Sequence, residues 1–197
     1  MKIYGLTGSI GMGKSAVAAM FRREGVPLFD ADAEVHRLQG PGGALIPAIE
    51  ARFPGTTGPD GVDRAKLGAA VFGHPHELRA LEAIVHPAVQ AARRTFLQRH
   101  RSRRFVILDV PLLFETQGHK RLARDILVPA PAGKQRKRVL ARPGMTPAKF
   151  RRIVHLQTPD AEKRRRADHI IHTGTTFTQT RAQVRRLVAC LGAKIGR

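Results

Sequence analysis

The chain has 197 residues, 42% hydrophobic and 25% charged, which suits one globular domain with a sizeable core. No apolar run is long enough to cross a bilayer, no signal-peptide pattern opens the chain, and the single Cys190 cannot form an internal disulfide, so a reducing, cytoplasmic setting is expected. Lys and Arg outnumber Asp and Glu by 35 to 15, a net charge of +20 that suits nucleic acid, small polyphosphates or a generally basic proteome; one Tyr and no Trp argue against a stacking platform for single strands.

Residues 2–7 (Lys-Ile-Tyr-Gly-Leu-Thr) read as a strand, and residues 16–21 as the continuation of a helix. Between them, Gly8-Ser9-Ile10-Gly11-Met12-Gly13-Lys14-Ser15 fits G-x-x-x-x-G-K-[ST], the phosphate-cradling loop of nucleotide-binding proteins. Glycines let backbone N–H groups turn inward onto phosphate oxygens, and the helix start points its positive dipole end at the same anion. Lys14 can reach the β- and γ-phosphates, and the Ser15 hydroxyl can join a Mg²⁺ shell. Gly8, Gly11, Met12, Gly13, Lys14, Ser15 and Ala16 are therefore the expected ATP-binding residues.

Residues 25–30 read as a second strand running into Asp30-Ala31-Asp32. Acidic residues at a strand's carboxyl end lie where open α/β sheets bind ligands. Asp32 could equally cap a helix starting at Ala33. After the Gly40–Gly43 break, a helix is expected over 44–53, with Leu45, Ile49 and Phe53 on one face, then a turn-rich loop over 54–61. A helix from Asp63 through Phe72 follows. An apolar stripe from Leu78 to Phe96 is then expected to kink or divide at Pro87, near His86.

Arg104–Asp109 is a near-continuous apolar strand, as expected when both sheet faces are covered, and Asp109 ends it. Residues 125–128 form a fourth strand. Basic helix 134–141, helices opening at Thr146-Pro147 and Thr158-Pro159, a last strand at 167–172 and a helix over 178–191 complete the order. Strands alternating with helices predict an α/β fold with about five parallel strands flanked by helices. His74-x-His76 and His169-x-x-His172 have no companion Cys ligands, so no zinc site is expected, and Cys190 reads as a packing residue.

Several segments in this order resemble the dephospho-CoA kinase family almost end to end. They are the loop itself, Asp30-Ala31-Asp32, Asp63-Arg64, Leu81-Glu82-Ala83-Ile84-Val85-His86-Pro87, Asp109-Val110-Pro111-Leu112-Leu113-Phe114-Glu115, then Gln135, Arg138, Arg142, Gln157, Lys163 and Ala167-Asp168. The resemblance implies a P-loop kinase fold: a core of 1–32, 101–131 and 168–197, a helical substrate-binding insertion of 33–100, and a lid of 132–167. It implies ATP-dependent phosphorylation of the dephospho-CoA 3′-hydroxyl with Mg²⁺, no nucleic-acid or membrane partner, and a monomer. The stretch His172-Thr173-Gly174 is one residue shorter than the family's usual pattern, and Pro143 after Arg142 is unusual for it.

On that resemblance Lys14 and Asp32 are catalytic candidates, Asp32 as the base for the acceptor hydroxyl. Arg138 and Arg142, four apart, would share one helix face and clamp the transferring phosphoryl group, or form a solvated basic face. Asp109 could orient a Mg²⁺-bound water for the substrate, cap the strand end, or bond the loop's Ser or Lys. His86 could contact the acceptor or cap a broken helix, and Arg79 could hold the acceptor's pyrophosphate. The run Lys163–Arg166 could attract polyanions on the lid or form a short nucleic-acid patch.

Overall fold

The computed structural model describes residues 1–115 and 122–192; residues 116–121 and 193–197, within the expected core segments 101–131 and 168–197, lie outside the described residues. In chain order the elements begin with β1 (Lys2–Thr7), α1 (Lys14–Arg23), β2 (Leu28–Asp30), α2 (Ala31–Gln39), α3 (Ile46–Arg52), β3 (Thr57–Gly58), β4 (Gly61–Val62), α4 (Arg64–Val71) and α5 (Pro75–Arg99). They continue with β5 (Phe105–Asp109), β6 (Arg124–Leu127), α6 (Ala132–Leu140), α7 (Pro147–His155), α8 (Asp160–Arg166), β7 (His169–Ile170) and α9 (Phe177–Gly192).

Five strands form one sheet in the order β2-β5-β1-β6-β7. The β1–β5, β1–β6 and β6–β7 pairs are parallel, and the Ile107 N–H donates to Pro27 O at 2.9 Å where β2 runs alongside β5. β1 is central, and the chain leaves it on one side to reach β2 and returns on the other as β6. Its carboxyl end is thus a topological switch point, where the sheet opens a crevice. Every residue of β5 is buried, as the apolar run predicts for a strand covered on both faces. Tyr4 and Leu6 alternate onto one face with Phe105, Ile107, Ile126 and Val128, and pack against Val17, Phe21 and Val184 of α1 and α9. Phe21 is wholly buried, so its truncation to Ala costs about 3–5 kcal/mol.

Met1–Phe29 with His100–Arg197 form one compact unit and Asp30–Arg99 a second. The second has its own core of Leu38, Leu45, Ile49, Phe53 and Leu67, on which one stripe of α5 lies, including Leu81, Ile84 and Val85. Asp63 caps α4 by accepting from the Ala65 and Lys66 N–H groups at 3.0 and 3.1 Å.

The structure corrects several local expectations. β2 is shorter than 25–30, because Gly25 takes φ 73° to end α1 and Val26 turns into the core. The 54–61 loop contains an antiparallel β3–β4 pair, with Glu50 accepting from the Gly55 and Thr57 N–H groups at 2.7 and 3.1 Å. The last strand shrinks to two residues. Cys190 is exposed rather than packed. Pro87 does not divide its segment: α5 runs unbroken for 25 residues. Ala83, His86 and Pro87 are all exposed. The Ala83 carbonyl that loses its donor can be hydrated, so the proline is tolerated on the outer face. Replacing it should relieve that loss: Pro87→Ala is expected to stabilise the protein by roughly 1–2 kcal/mol, read as a higher urea midpoint with an unchanged slope.

Candidate active site

The phosphate loop leaves β1 at Thr7 and enters α1 at Lys14. Gly11 and Gly13 hold φ 74° and 91°, left-handed values that favour glycine. A Cβ at Gly11 would come within 2.3 Å of Val139 Cγ2 on α6, so α6 packs against the loop backbone itself. The N-cap of α1 is Gly13, with no side-chain cap bond and no acidic residue in the first turn. That leaves a helix N-terminus with donors directed at an anion and no competing carboxylate within its own turn.

Gly8, Gly11 and Gly13 offer only backbone, and Met12 is buried, its Sδ accepting the Ala130 N–H at 3.0 Å. Ser15 is exposed in the first turn of α1, and Ala16 lines an adjacent cleft. Lys14 forms an ion pair with the buried Asp109, which ends β5. Of the readings of Asp109, the geometry realises the bond to the loop lysine. The pair holds the Lys14 ammonium at the carboxyl edge of the sheet, beside the crevice.

Three further side chains hold the loop tip, and the sequence assigned none of them this role. Gln135 Nε2 of α6 donates to Ile10 O at 2.9 Å, and Gln157 Oε1 accepts the Ile10 N–H at 3.1 Å. Lys163 of α8, wholly buried, donates to Ser9 Oγ at 3.1 Å and pairs with Glu115 at 2.8 Å. The Lys163–Arg166 run is therefore not one solvated patch. Its first lysine faces inward, Arg164 and Arg166 pair with Asp160 and Glu162 one turn back, and Arg166 also stacks over Phe114.

Arg138 and Arg142 do not share a helix face. α6 ends at Leu140, and Arg142 lies past its C-cap, exposed, in a turn closed by Met145 N–H to Arg142 O at 3.2 Å. Pro143 and Gly144, the latter at φ 70°, occupy the two central positions of that turn, which is the place proline and a left-handed glycine favour. Arg138 donates to Thr173 Oγ1 and O at 3.2 and 2.8 Å. The Thr173 hydroxyl in turn donates to Met12 O. The short stretch after β7 thus ties Arg138 of α6 and the phosphate loop together. Arg138, Thr173, Gly13, Ala16, Met20 and Phe177 line a mostly apolar cleft of about 160 Å³ beside the start of α1.

The remaining candidates lie in the Asp30–Arg99 unit. Asp30, not Asp32, caps α2, accepting the Ala33 N–H at 3.0 Å. Asp32 sits exposed in the first turn, with its carboxylate released from the capping role. Arg79 and His86 are both exposed on α5, two turns apart on one face, and the unbroken helix removes the capping reading of His86. Among the described residues no cluster of three or more His, Cys, Asp or Glu side chains could hold a metal. The His169 ring instead packs near Tyr4, and burial pushes its pKa down. Nor is any described helix long and apolar enough to cross a membrane.

Burial pushes the Glu115 carboxyl up, but the bonds from Lys163 and the Thr158 N–H outweigh it and hold the group below its ordinary value. A depressed folded-state value contributes stability above the ordinary carboxylate range and loses it as pH falls through that value. Urea midpoints measured from about pH 6 to pH 3 should therefore show wild type falling towards Glu115→Gln in acid, with the gap widest at pH 6.

Comparisons with known proteins agree with this geometry. A model of the dephospho-CoA kinase family matches residues 2–179. The dephospho-CoA kinase of Novosphingobium aromaticivorans is 60% identical over 192 residues, 98% of this chain and 96% of that protein. A crystal structure from Thermus thermophilus superposes with a TM-score of 0.78 at 34% identity, covering 96% of each chain. The dephospho-CoA kinase of Campylobacter jejuni, at 20% identity and covering 97% of each chain, shares the fold with a TM-score of 0.69. With its phosphate loop, five-stranded sheet and nearly full-length match, this chain belongs to the dephospho-CoA kinase family.

Proposed function

We propose that the protein transfers the γ-phosphoryl group of ATP to the 3′-hydroxyl of dephospho-CoA, giving coenzyme A and ADP. The observation that carries this reading is the phosphate loop, folded with glycines at left-handed φ and with Lys14 held at the sheet edge by Asp109. In the transfer, the hydroxyl oxygen forms a bond to the γ-phosphorus as the bond to the ADP oxygen breaks. The hydroxyl proton passes to Asp32. Its exposed carboxylate, not engaged in the helix cap that Asp30 supplies, supports that role. An ionised Asp is a weak base, so its main contribution is to orient the hydroxyl.

Lys14 and the backbone N–H groups around it neutralise the donor phosphates. Arg142, outside its helix on a two-residue Pro-Gly turn, reaches for the transferring group as an arginine finger in cis. Arg138, held by Thr173, instead walls the cleft beside α1, which we assign to the nucleobase. Bound Mg²⁺ neutralises phosphate charge in such a transfer. The exposed Ser15 hydroxyl suits it, since Mg²⁺ takes hard oxygen ligands and keeps phosphates and waters for the rest. Arg79 and His86 are the candidate acceptor contacts on α5.

An ADP-release assay with dephospho-CoA, adenosine, AMP and shikimate tests the reaction. Release only with dephospho-CoA is expected; none with dephospho-CoA, while ATP binds, would sink the proposal. Within that assay Asp32→Asn should lower turnover about 10²–10⁴-fold with ATP affinity nearly intact. Arg142→Ala should lower it roughly 10²–10³-fold. Wild-type turnover in either variant removes that residue from the mechanism.

A further inference from the structure

Lys163 is a wholly buried ammonium that the transfer reaction does not use. Burying it demands compensation, and the Glu115 carboxylate at 2.8 Å provides it. The ammonium has a second partner, Ser9 Oγ at 3.1 Å, inside the phosphate loop. The ion pair is oriented. Its cationic end faces the loop, and Glu115 Oε1 faces the Thr158 N–H at 2.9 Å. Ile10, the next loop residue, is gripped at both N–H and C=O by Gln157 and Gln135. The stretch that must present a preset concavity to phosphates is therefore fixed from outside by α6, α8 and the segment between α7 and α8.

We propose that Lys163 is a positioning residue for donor-nucleotide binding. It touches no phosphate. By anchoring Ser9 it keeps the following loop N–H groups convergent before ATP arrives, and its buried charge raises the potential in the loop. Ordering a glycine-rich loop on binding costs conformational entropy, and pre-ordering removes that cost from the ATP affinity. The effect should fall on affinity rather than on the chemical step, because the bond is equally present with ground state and transition state. This rests on the loop holding the phosphates of ATP.

The test uses the full chain, with ATP binding by titration calorimetry, steady-state kinetics and thermal melting measured on each variant. Lys163→Met should weaken ATP binding about tenfold or more, while kcat at saturating ATP changes less than about threefold. Ser9→Ala removes only the loop-side acceptor and should weaken binding about threefold. The double variant should match Lys163→Met alone, because both remove one bond. A lower melting temperature with unchanged ATP affinity in Lys163→Met would make the lysine merely structural and overturn the proposal. Should Lys163→Met fail to fold, Ser9→Ala decides, and wild-type ATP affinity there overturns it. If wild type itself bound no ATP, the nucleotide reading would fail separately.

Discussion

A loop that binds phosphate through backbone N–H groups must hold one concave shape, yet it is built from glycine, the residue with the most conformations to lose. The rest of the unit that carries the loop answers that conflict. β1 delivers the loop from the centre of the sheet. Ser9 is held by Lys163, Ile10 by Gln135 and Gln157, and Met12 by its own buried sulfur and by the Thr173 hydroxyl. Nearly every position that is not glycine is tied down by a side chain from another element. The glycines are free to take left-handed φ because their neighbours are not free to move.

The same anchors organise the charge. A net charge of +20 could describe a diffuse basic surface, but the cations nearest the loop are paired or directed. Lys14 is held by Asp109, Lys163 by Glu115, and Arg138 by the backbone and hydroxyl of Thr173. A lysine or arginine with a fixed partner loses less side-chain entropy when an anion arrives. Arg142 differs: it is exposed on a Pro-Gly turn past the helix end.

The second unit is built on different physics. Its only sheet is the short β3–β4 pair, and its core is a cluster of five aliphatic and aromatic side chains against one stripe of α5. Arg52 and Glu77 join α3 to α5, and Arg64 meets His36. A helical unit with a small core and long exposed faces can vary its surface residues with little effect on stability. That freedom suits the acceptor-selecting role proposed for this unit, whereas the phosphate loop is common to many nucleotide-binding chains.

The sequence alone determined what depends on local chemistry and period. The glycine spacing with Lys14 and Ser15 specified the phosphate loop. The apolar run 105–108 marked a strand covered on both faces, and Leu45, Ile49 and Phe53 marked the buried face of α3 and its ends. Short-range rules misled where packing or solvent overrode them: Pro87 was absorbed on an exposed helix face, Asp30 displaced Asp32 as a cap, and the turn at Pro143 carried Arg142 off its helix. Only the tertiary structure decided how the loop is held. Gln135, Gln157, Lys163 and Thr173 act on residues more than a hundred positions away, so no periodicity or spacing could reveal the contacts. Local sequence writes the loop's chemistry; its rigidity comes from burial and hydrogen bonds that exist only once distant segments meet.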